Sequence, residues 1–454
     1  MTGSLRLNRL LCAAGLALSA SVGHAQTINL QQAVEMSLSA DPRIKEREQV
    51  VEHARGVLEE AQGHNGLRVN MNAFIGLAPA VEGGFYENGA SSGTTPRSDG
   101  GSVHGVSDWT MLQFSVVKPL YTFGKVERYS EAAQGSIDVK RGDVRLARAE
   151  TVLQVNRAYY AYLAARDTRL LLEDVQNKLA DAIKLVGKWL DDESGDAKQS
   201  DLYAMQAGRG MLGKYLGQAR AVESISLGAL KALTGTGTEA LLEVADKSIA
   251  PVALPATALK DYQAQAVGGR PEMDQLEAGF RARRALVAAK QAEMYPDIYA
   301  GVVGTAAYAS RRDRLDNPYV YDPFNSVGVT PVVGMRWDVK LDVVPAHVAQ
   351  AQAELEALNF KHKTAMIGIP LEVSEAYTQM QALYRGQQDM EAGAAASRRW
   401  MVASYADFNA GLEKADKVAE ALKTYALTQA EYLRTVYDYN VAVAQMARVT
   451  GDYK

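Results

Sequence analysis

Residue types that could carry out chemistry are few in this chain, and their spacing fits no known reaction centre. The six histidines of the 454 residues never lie at the spacing of metal ligands, and no His-Glu-x-x-His motif is present. The sequence also lacks a phosphate-binding glycine loop and a Gly-x-Ser-x-Gly nucleophile motif. It therefore indicates a protein that is not an enzyme, with no catalytic residue, no cofactor and no metal.

A group of charged residues in the last quarter of the chain is better ordered. Asp416 and Glu420 are four residues apart, so on a helix they share one face, and Lys417 lies between them in sequence. Asp201 lies in a comparable position after an earlier glycine. Such residues either form an ordinary solvated helix face or set up a local electric field, and the sequence leaves both interpretations open.

The first 25 residues have the pattern of a secretory signal peptide. Arg6 and Arg9 precede an apolar stretch over residues 10–22, which Gly23-His24-Ala25 follows as a cleavage signal. This stretch is too short to span a membrane as a helix. It also contains the chain's one cysteine, Cys12, so we expect a mature protein without thiols. The formal net charge of −4 gives no sign of a nucleic-acid partner.

The remaining residues, 26–454, are predicted to form one unit built of two tandem repeats. Asp41-Pro42 aligns with Arg270-Pro271 at an offset of 229 residues, and Thr234-Gly235 aligns with Thr450-Gly451 at an offset of 216. Ala133 aligns with Ala351 at an offset of 218, so the main loss is 229 − 218 = 11 residues. We expect this loss in one variable loop, between Leu77 and Asp108 of the first repeat. We place the repeats at residues 26–235 and 259–451, with a linker at 236–258.

Each repeat is predicted to contain long helices and a pair of strands. Apolar residues at helical spacing run from Val126 to about Leu190, and a second helical run covers residues 200–233. From Ala133 to the turn at Gly195, a helix would be about 93 Å long at roughly 1.5 Å per residue. Alternating residues predict strands at 67–73, 112–116, 298–308 and 327–339, arranged as two hairpins.

The alternation in the first repeat assigns faces to the strands. Arg68, Asn70 and Asn72 lie on one face of the first strand, and in the second strand Gln113 and Ser115 separate three apolar residues, Leu112, Phe114 and Val116. Four half-apolar strands cannot close a barrel, because known membrane barrels begin at about 8 strands. Two or three chains together would supply enough. The alternative is a structural periplasmic coiled-coil protein whose hairpins only cap a helical bundle.

The order and spacing of these features resemble the TolC-like outer-membrane efflux family (outer-membrane factors). The resemblance covers essentially the whole mature chain. Its carriers are Asp41-Pro42 at the end of the opening helix, residues 118–125 (Lys-Pro-Leu-Tyr-Thr-Phe-Gly-Lys) after a strand, and the paired helix ends at Thr234-Gly235 and Thr450-Gly451. None of these motifs is specific alone.

The resemblance implies a mixed α and β fold, with a long antiparallel α-helical coiled-coil barrel and a 4-stranded contribution to a trimeric 12-stranded transmembrane β-barrel. It implies a homotrimer in the bacterial outer membrane, in contact with lipid and extending into the periplasm. The expected function is a passive exit duct of a tripartite efflux or type I secretion system. The expected partners are a periplasmic adaptor protein and an inner-membrane transporter, and nucleic acid is not one.

The resemblance also assigns sites. Asp416, Glu420, Lys417 and Asp201 become candidates for a periplasmic constriction, and Gly195, Gly411 and Asp407 for adaptor contacts at the helical tips. Arg68, Asn70, Asn72, Gln113 and Ser115 become candidates for the barrel lumen, with Leu112, Phe114 and Val116 facing lipid. We expect Lys417 to pair with a neighbouring helix rather than neutralise the acidic pair.

The chain departs from the family pattern in its second repeat. Residues 341–345 (Leu-Asp-Val-Val-Pro) replace the usual glycine-rich turn, and we expect Pro345 at a helix start. Pro370, inside the second long helix, should bend that helix because it removes a backbone donor. Tyrosines such as Tyr159 and Tyr439 are predicted to pack between subunits with their hydroxyls reaching solvent.

Overall fold

A computed structural model describes residues 26–81, 103–193, 198–237, 239–313 and 321–453. The predicted signal peptide (1–25) and the tip residue Gly195 lie outside these ranges. The chain divides into two compact units that both draw on the two predicted repeats. The first unit comprises residues up to 42 together with 148–258 and 374–454, and the second comprises residues 43–147 and 259–373.

The elements occur in the same order in both halves of the chain. The first half contains α1 (Leu30–Ala40), α2 (Pro42–Gly63), β2 (Arg68–Val81), β3 (Val103–Tyr121), α3 (Lys125–Asp191) and α4 (Gln199–Thr234), after a short strand β1 (Gln26–Ile28). The second half contains α5 (Leu259–Gly269), α6 (Pro271–Ala292), β5 (Asp297–Ala309), β6 (Ser326–Arg336), α7 (Val343–Asn409) and α8 (Ala415–Thr450), after β4 (Leu242–Val244). Helices α3 and α7 have 67 residues each, and α4 and α8 have 36 each. These matching lengths support the duplication, which stays a prediction.

Local chemistry explains where the helices begin. Asn29 closes a capping box with Gln32, because each side chain accepts a hydrogen bond from the other's backbone N–H. Pro271 occupies the first turn of α6, where its fixed φ suits a helix and its missing N–H leaves no broken bond. Pro345 likewise lies in the first turn of α7, as predicted, and Pro370 lies inside that helix.

The second unit contains an antiparallel sheet in the order β2-β3-β5-β6. Strands β2 and β3 form one hairpin, β5 and β6 form the other, and β3 pairs with β5 to join the two. Both predicted hairpins are therefore confirmed. The first two strands are much longer than the predicted segments, with 14 residues in β2 and 19 in β3.

Glycines in this sheet make room for aromatic rings of neighbouring strands. Gly304 lies opposite Phe114, and a Cβ at this glycine would stand 2.3 Å from the ring. Gly334 lies opposite Tyr299 in the same way, with the ring 2.7 Å from the position of a Cβ. In each pair the aromatic ring covers the glycine and fills the space that a side chain at that position would otherwise occupy. In the segment Gly301-Val-Val-Gly304, which barely alternates, this contact accounts for Gly304. A Cβ at Gly301 would instead stand 2.3 Å from the carbonyl oxygen of Val116.

The first unit is held together by two apolar cores between its helices. One core includes Phe408 and Val418 together with Val186 and Met205, all nearly fully buried. The other surrounds Tyr159 and Leu230 and includes Ile28 of β1. Among the helices of the described ranges, none is both long enough and apolar enough to cross a membrane.

The linker at 236–258 is tied to the helices of the first unit by polar side chains. β4 within it pairs in parallel with β1, a contact that the sequence did not reveal. Asn440 of α8 accepts a hydrogen bond from Val252 N and donates one to Ala250 O, at 3.0 and 2.9 Å. Asp167 of α3 accepts the backbone N–H of Ile249 at 2.7 Å. Burial raises the pKa of the Asp167 carboxyl, and this hydrogen bond and the charge of Arg166 only partly oppose the shift.

The close contact between Gly304 and Phe114 gives a stability prediction. The substitution Gly304→Ala should lower the free energy of unfolding by about 1–3 kcal/mol, because the ring has to move to admit a methyl group. The matched control is Gly328→Ala on β6, where a Cβ would meet nothing within 4 Å. Thermal unfolding of the purified protein, followed by circular dichroism, measures both. Equal midpoints for the two variants would contradict this packing.

Candidate functional site

The polar face of the four-stranded sheet is the first candidate site. In the β2–β3 register, Asn70 pairs with Ser115 and Asn72 with Gln113, so these side chains share a face. Asn70 Nδ2 donates to Ser115 Oγ at 3.4 Å. Arg68 lies on the same face, two residues before Asn70. The structure thus brings together all five residues that the sequence proposed for a lumen.

The opposite face of the sheet is apolar and exposed. Met71 pairs with Phe114, which pairs in turn with Gly304, and Gly304 pairs with Val329 on β6. On the edge strands the exposed fractions are large: 66% for Met71, 87% for Ile75 and 78% for Val333. A face of this kind needs an apolar cover or an apolar solvent.

The helices above the sheet add charged groups to its polar face. Where the strands meet the helices, a cavity of about 160 Å³ is lined by Arg68, Arg336 and Tyr299 from the sheet and by Lys125 from α3. Lys125 Nζ lies 2.7 Å from Asp297 Oδ1. Sequence reasoning missed Arg336, since faces were assigned only to the strands of the first repeat. Extending the alternation along β6 would have found it.

The second candidate site is the turn between α7 and α8. Gly411 has φ +73°, a left-handed conformation that glycine adopts without strain. Its N–H bonds to Phe408 O, and the N–H of Leu412 bonds to Asp407 O, which together form a Schellman motif. Phe408 is fully buried and contacts Trp189 of α3 edge to face, with 4.9 Å between ring centroids. The turn is therefore a fixed structure, and Asp407 is exposed beside it.

Asp416 and Glu420 are exposed in the first turns of α8, but the prediction for Lys417 is wrong. Lys417 Nζ lies 3.8 Å from Glu420 Oε2, so the lysine pairs within its own helix. Residues three apart, such as Lys417 and Glu420, are neighbours on a helix surface. Lys417 can therefore reach Glu420 although it points away from Asp416, the residue next to it in sequence. Asp416 makes no ion pair with any described residue. The acidic group therefore has a net charge close to −1 per chain.

Asp201 has a local structural role in the first turn of α4. Its carboxylate accepts the backbone N–H of Lys198 at 3.1 Å, as the third residue of a capping box does. A carboxylate here also favours the positive end of the helix dipole. Its placement in a constriction stays a prediction, and so does the adaptor contact at Gly195, which lies outside the described residues.

The tyrosines of the long helices pack differently from the prediction. Tyr159 and Tyr439 are fully buried within this chain. The Tyr159 hydroxyl donates to Asp246 Oδ2 at 2.7 Å instead of reaching solvent. Burial and the neighbouring Asp246 carboxylate raise the pKa of the Tyr159 hydroxyl, so it stays a neutral donor. Tyr159 belongs to the core that includes Leu242 and Ile249 of the linker. Tyr439 packs against the ring of Tyr384, with 5.4 Å between ring centroids.

Comparisons with known proteins agree with this architecture. The sequence model of the outer membrane efflux protein family matches residues 263–452. No curated protein matches the chain in sequence. Several solved structures match it in fold. The Campylobacter jejuni CmeC outer membrane channel has a TM-score of 0.73 at 12% identity, over 99% of this chain and 94% of that one.

Two further channels are similar over almost the same length. The outer membrane protein VceC from Vibrio cholerae has a TM-score of 0.70 at 14% identity, over 93% of this chain and 96% of that one. The open state of the Neisseria gonorrhoeae MtrE outer membrane channel has a TM-score of 0.70 at 14% identity, over 93% and 88%. These likenesses show that the chain shares the fold of these channels.

Residues 263–452 carry the sequence pattern of the outer membrane efflux proteins, and nearly the whole chain has the fold of outer-membrane channels. The resemblance to the TolC-like outer-membrane efflux family is thereby confirmed.

Proposed function

We propose that the protein is a passive exit duct of a tripartite efflux or type I secretion system, formed by three copies of the chain. The observation that carries the proposal is the four-stranded sheet with one polar and one exposed apolar face. In a bilayer the apolar face would meet lipid and the polar face would line a water-filled lumen. Three chains would supply the 12 strands of one closed barrel.

The edges of the sheet support this assembly. Within the described ranges, the only strand that pairs with β2 is β3, and the only one that pairs with β6 is β5. Apart from an isolated bridge between Val81 at the end of β2 and Arg312, each outer strand therefore keeps one row of backbone groups without a strand partner. In lipid each unsatisfied backbone group costs several kcal/mol, and open sheet edges do not occur there. Pairing β6 of one chain with β2 of the next removes every edge once the ring closes.

The alternative, a coiled-coil protein whose hairpins only cap a bundle, agrees less well with the strands. A cap needs short strands with one face against the bundle, whereas 14 and 19 residues in β2 and β3 are long enough to cross a bilayer. The exposed apolar residues on the edge strands would also have no function in water. In a membrane barrel the long strands would cross the bilayer and the exposed apolar residues would contact lipid.

In this proposal the linker and the long helices form the wall of a periplasmic tunnel. The turn at Gly411 contacts a periplasmic adaptor, and an inner-membrane transporter supplies the energy. Asp416 of three chains forms an acidic ring at a narrow mouth, where low-dielectric walls strengthen its field. Asp416 is exposed and makes no ion pair with another residue of the described ranges, which supports this role.

The facing of β3 gives the experiment that tests the proposal. Phe114→Arg should reduce assembly in the outer membrane, because an arginine facing lipid near the bilayer midplane costs about 2–4 kcal/mol. Gln113→Arg, the adjacent residue on the polar face, is the matched control and should assemble normally. The amount of heat-modifiable protein in outer-membrane fractions measures both. Equal amounts of the two variants would rule out this facing.

The pairing of Lys417 with Glu420 makes the tip prediction specific. Asp416→Asn should remove most of the cation preference of the channel, because it removes the unpaired carboxylate. Glu420→Gln should weaken the same preference by a different route, because it leaves the positive charge of Lys417 without its partner. The double variant leaves only the lysine, so we expect its preference to shift toward anions. Glu431→Gln, an exposed acid farther along α8, is the control and should behave as the wild type.

Reversal potentials of single channels in a salt gradient measure this preference. All differences should shrink as the salt concentration rises, since the Debye length is about 10 Å at 0.1 M. An unchanged reversal potential in the double variant at low salt would show that these acids are only a solvated helix face.

A further inference from the structure

The cavity between the polar face of the sheet and the helices of the second unit has a charge distribution that the duct function does not require. Its lining includes three cations, Arg68, Lys125 and Arg336, and one carboxylate, Asp297. Asp297 is directly opposite Arg336 in the register of β5 and β6. It nevertheless pairs with Lys125 at 2.7 Å. The two arginines are therefore left as the excess charge of the cavity.

Arg68 is held in place by the end of α2. Its Nη2 donates to the carbonyl oxygen of His64 at 3.1 Å, which fixes the guanidinium at the edge of the cavity. This bond uses one of the five N–H donors of the group, and a carbonyl oxygen does not cancel its charge. Arg68 is half-buried, so its charge is screened less than that of a free surface side chain.

Arg336 is exposed at the end of β6 and makes no ion pair with any residue in the described part of the chain. Nearby acids are already engaged. Glu293 accepts a hydrogen bond from Lys290 Nζ at 2.9 Å, and it also accepts one from the Tyr129 hydroxyl. Burial acts to raise the pKa of Glu293, but these hydrogen bonds outweigh it and lower the pKa, so the acid stays ionised and paired.

Two arginines without a carboxylate partner, in one cavity beside a tyrosine and a threonine, suit an oxygen anion. Guanidinium groups bind carboxylate and phosphate through paired charge-assisted hydrogen bonds. Tyr299 lines the same cavity, and its hydroxyl can donate to a further oxygen. Thr122 lines it as well, but its hydroxyl donates to Glu127 Oε2 at 3.5 Å. His64 also lines this cavity.

We infer that this cavity, defined by Arg68 and Arg336, is a binding site for the carboxylate or phosphate group of an anionic solute. The inference rests on the proposed function only in placing the solute inside the lumen. A duct with such a site would favour anionic cargo where the strands meet the helices. The site differs in place and in charge from the acidic group at the α7–α8 turn.

Protection of arginine from chemical modification tests the inference without requiring an open channel. The assembled protein is treated with phenylglyoxal in neutral detergent, in the presence of inorganic phosphate or of chloride at equal ionic strength, and labelling is measured by mass spectrometry. Phosphate should slow the labelling of Arg336 about fivefold or more, given the strength of charge-assisted hydrogen bonds. Arg128, an exposed arginine that pairs with Glu131 on α3, is the internal control and should not be protected.

Substitutions then separate the site from a general salt effect. Arg68→Gln should abolish the protection of Arg336, and Arg68→Lys should retain part of it. Lys118→Gln removes a charge from the opposite face of β3 and should leave the protection intact. Equal slowing at Arg336 and Arg128 in the wild type would overturn the inference even if Arg68→Gln failed to assemble. If the protein bound phosphate at Arg336 but never formed channels, the proposed duct function would be contradicted and the inferred binding site would stand.

Discussion

The backbone of the four-stranded sheet sets the constraint on which the rest of the molecule depends. Its two outer strands each present a row of N–H and C=O groups that no described strand of the chain pairs with. One face of the same sheet is apolar and exposed, so water is a poor surrounding for it. A closed ring of several chains in lipid satisfies the edges and the apolar face at once. A single chain satisfies neither.

The helices match in pairs within the chain. In the proposed ring each chain would contribute two similar pairs of long helices, because α3 and α7 have equal lengths and so do α4 and α8. Close approaches at small residues keep the helices of the second unit together. A Cβ at Gly135 would stand 2.7 Å from that of Ala282, so the two helices nearly touch there.

Much of this architecture can be predicted from the sequence, because the period of the apolar residues in a long segment indicates whether it forms a helix or a strand. The first long helix was predicted over residues 126–190 and runs from Lys125 to Asp191. Strand lengths were underestimated for a physical reason. Beyond Ala73 the polar face of β2 carries Phe74, Gly76 and Ala78, so the alternation ends although the hydrogen bonding to β3 continues.

Features that depend on distant or small contacts could not be predicted. The pairing of β1 with β4 joins two strands of three residues that are more than 200 positions apart, and neither has a pattern of its own. At the candidate tip, the acidic residues were found from their spacing, but the engagement of Lys417 with Glu420 depends on side-chain conformation. Asp201 was selected by its offset from a glycine, whereas its capping bond to Lys198 depends on the local turn.

The mass of the intact assembly tests the central claim most directly. Native mass spectrometry of protein extracted from outer membranes in mild detergent should show three copies of the chain and no larger series. The same sample should migrate as one compact species on an unboiled gel and as a single chain after boiling. A monomer recovered from the soluble periplasmic fraction would contradict the account, because a lone chain cannot close its sheet.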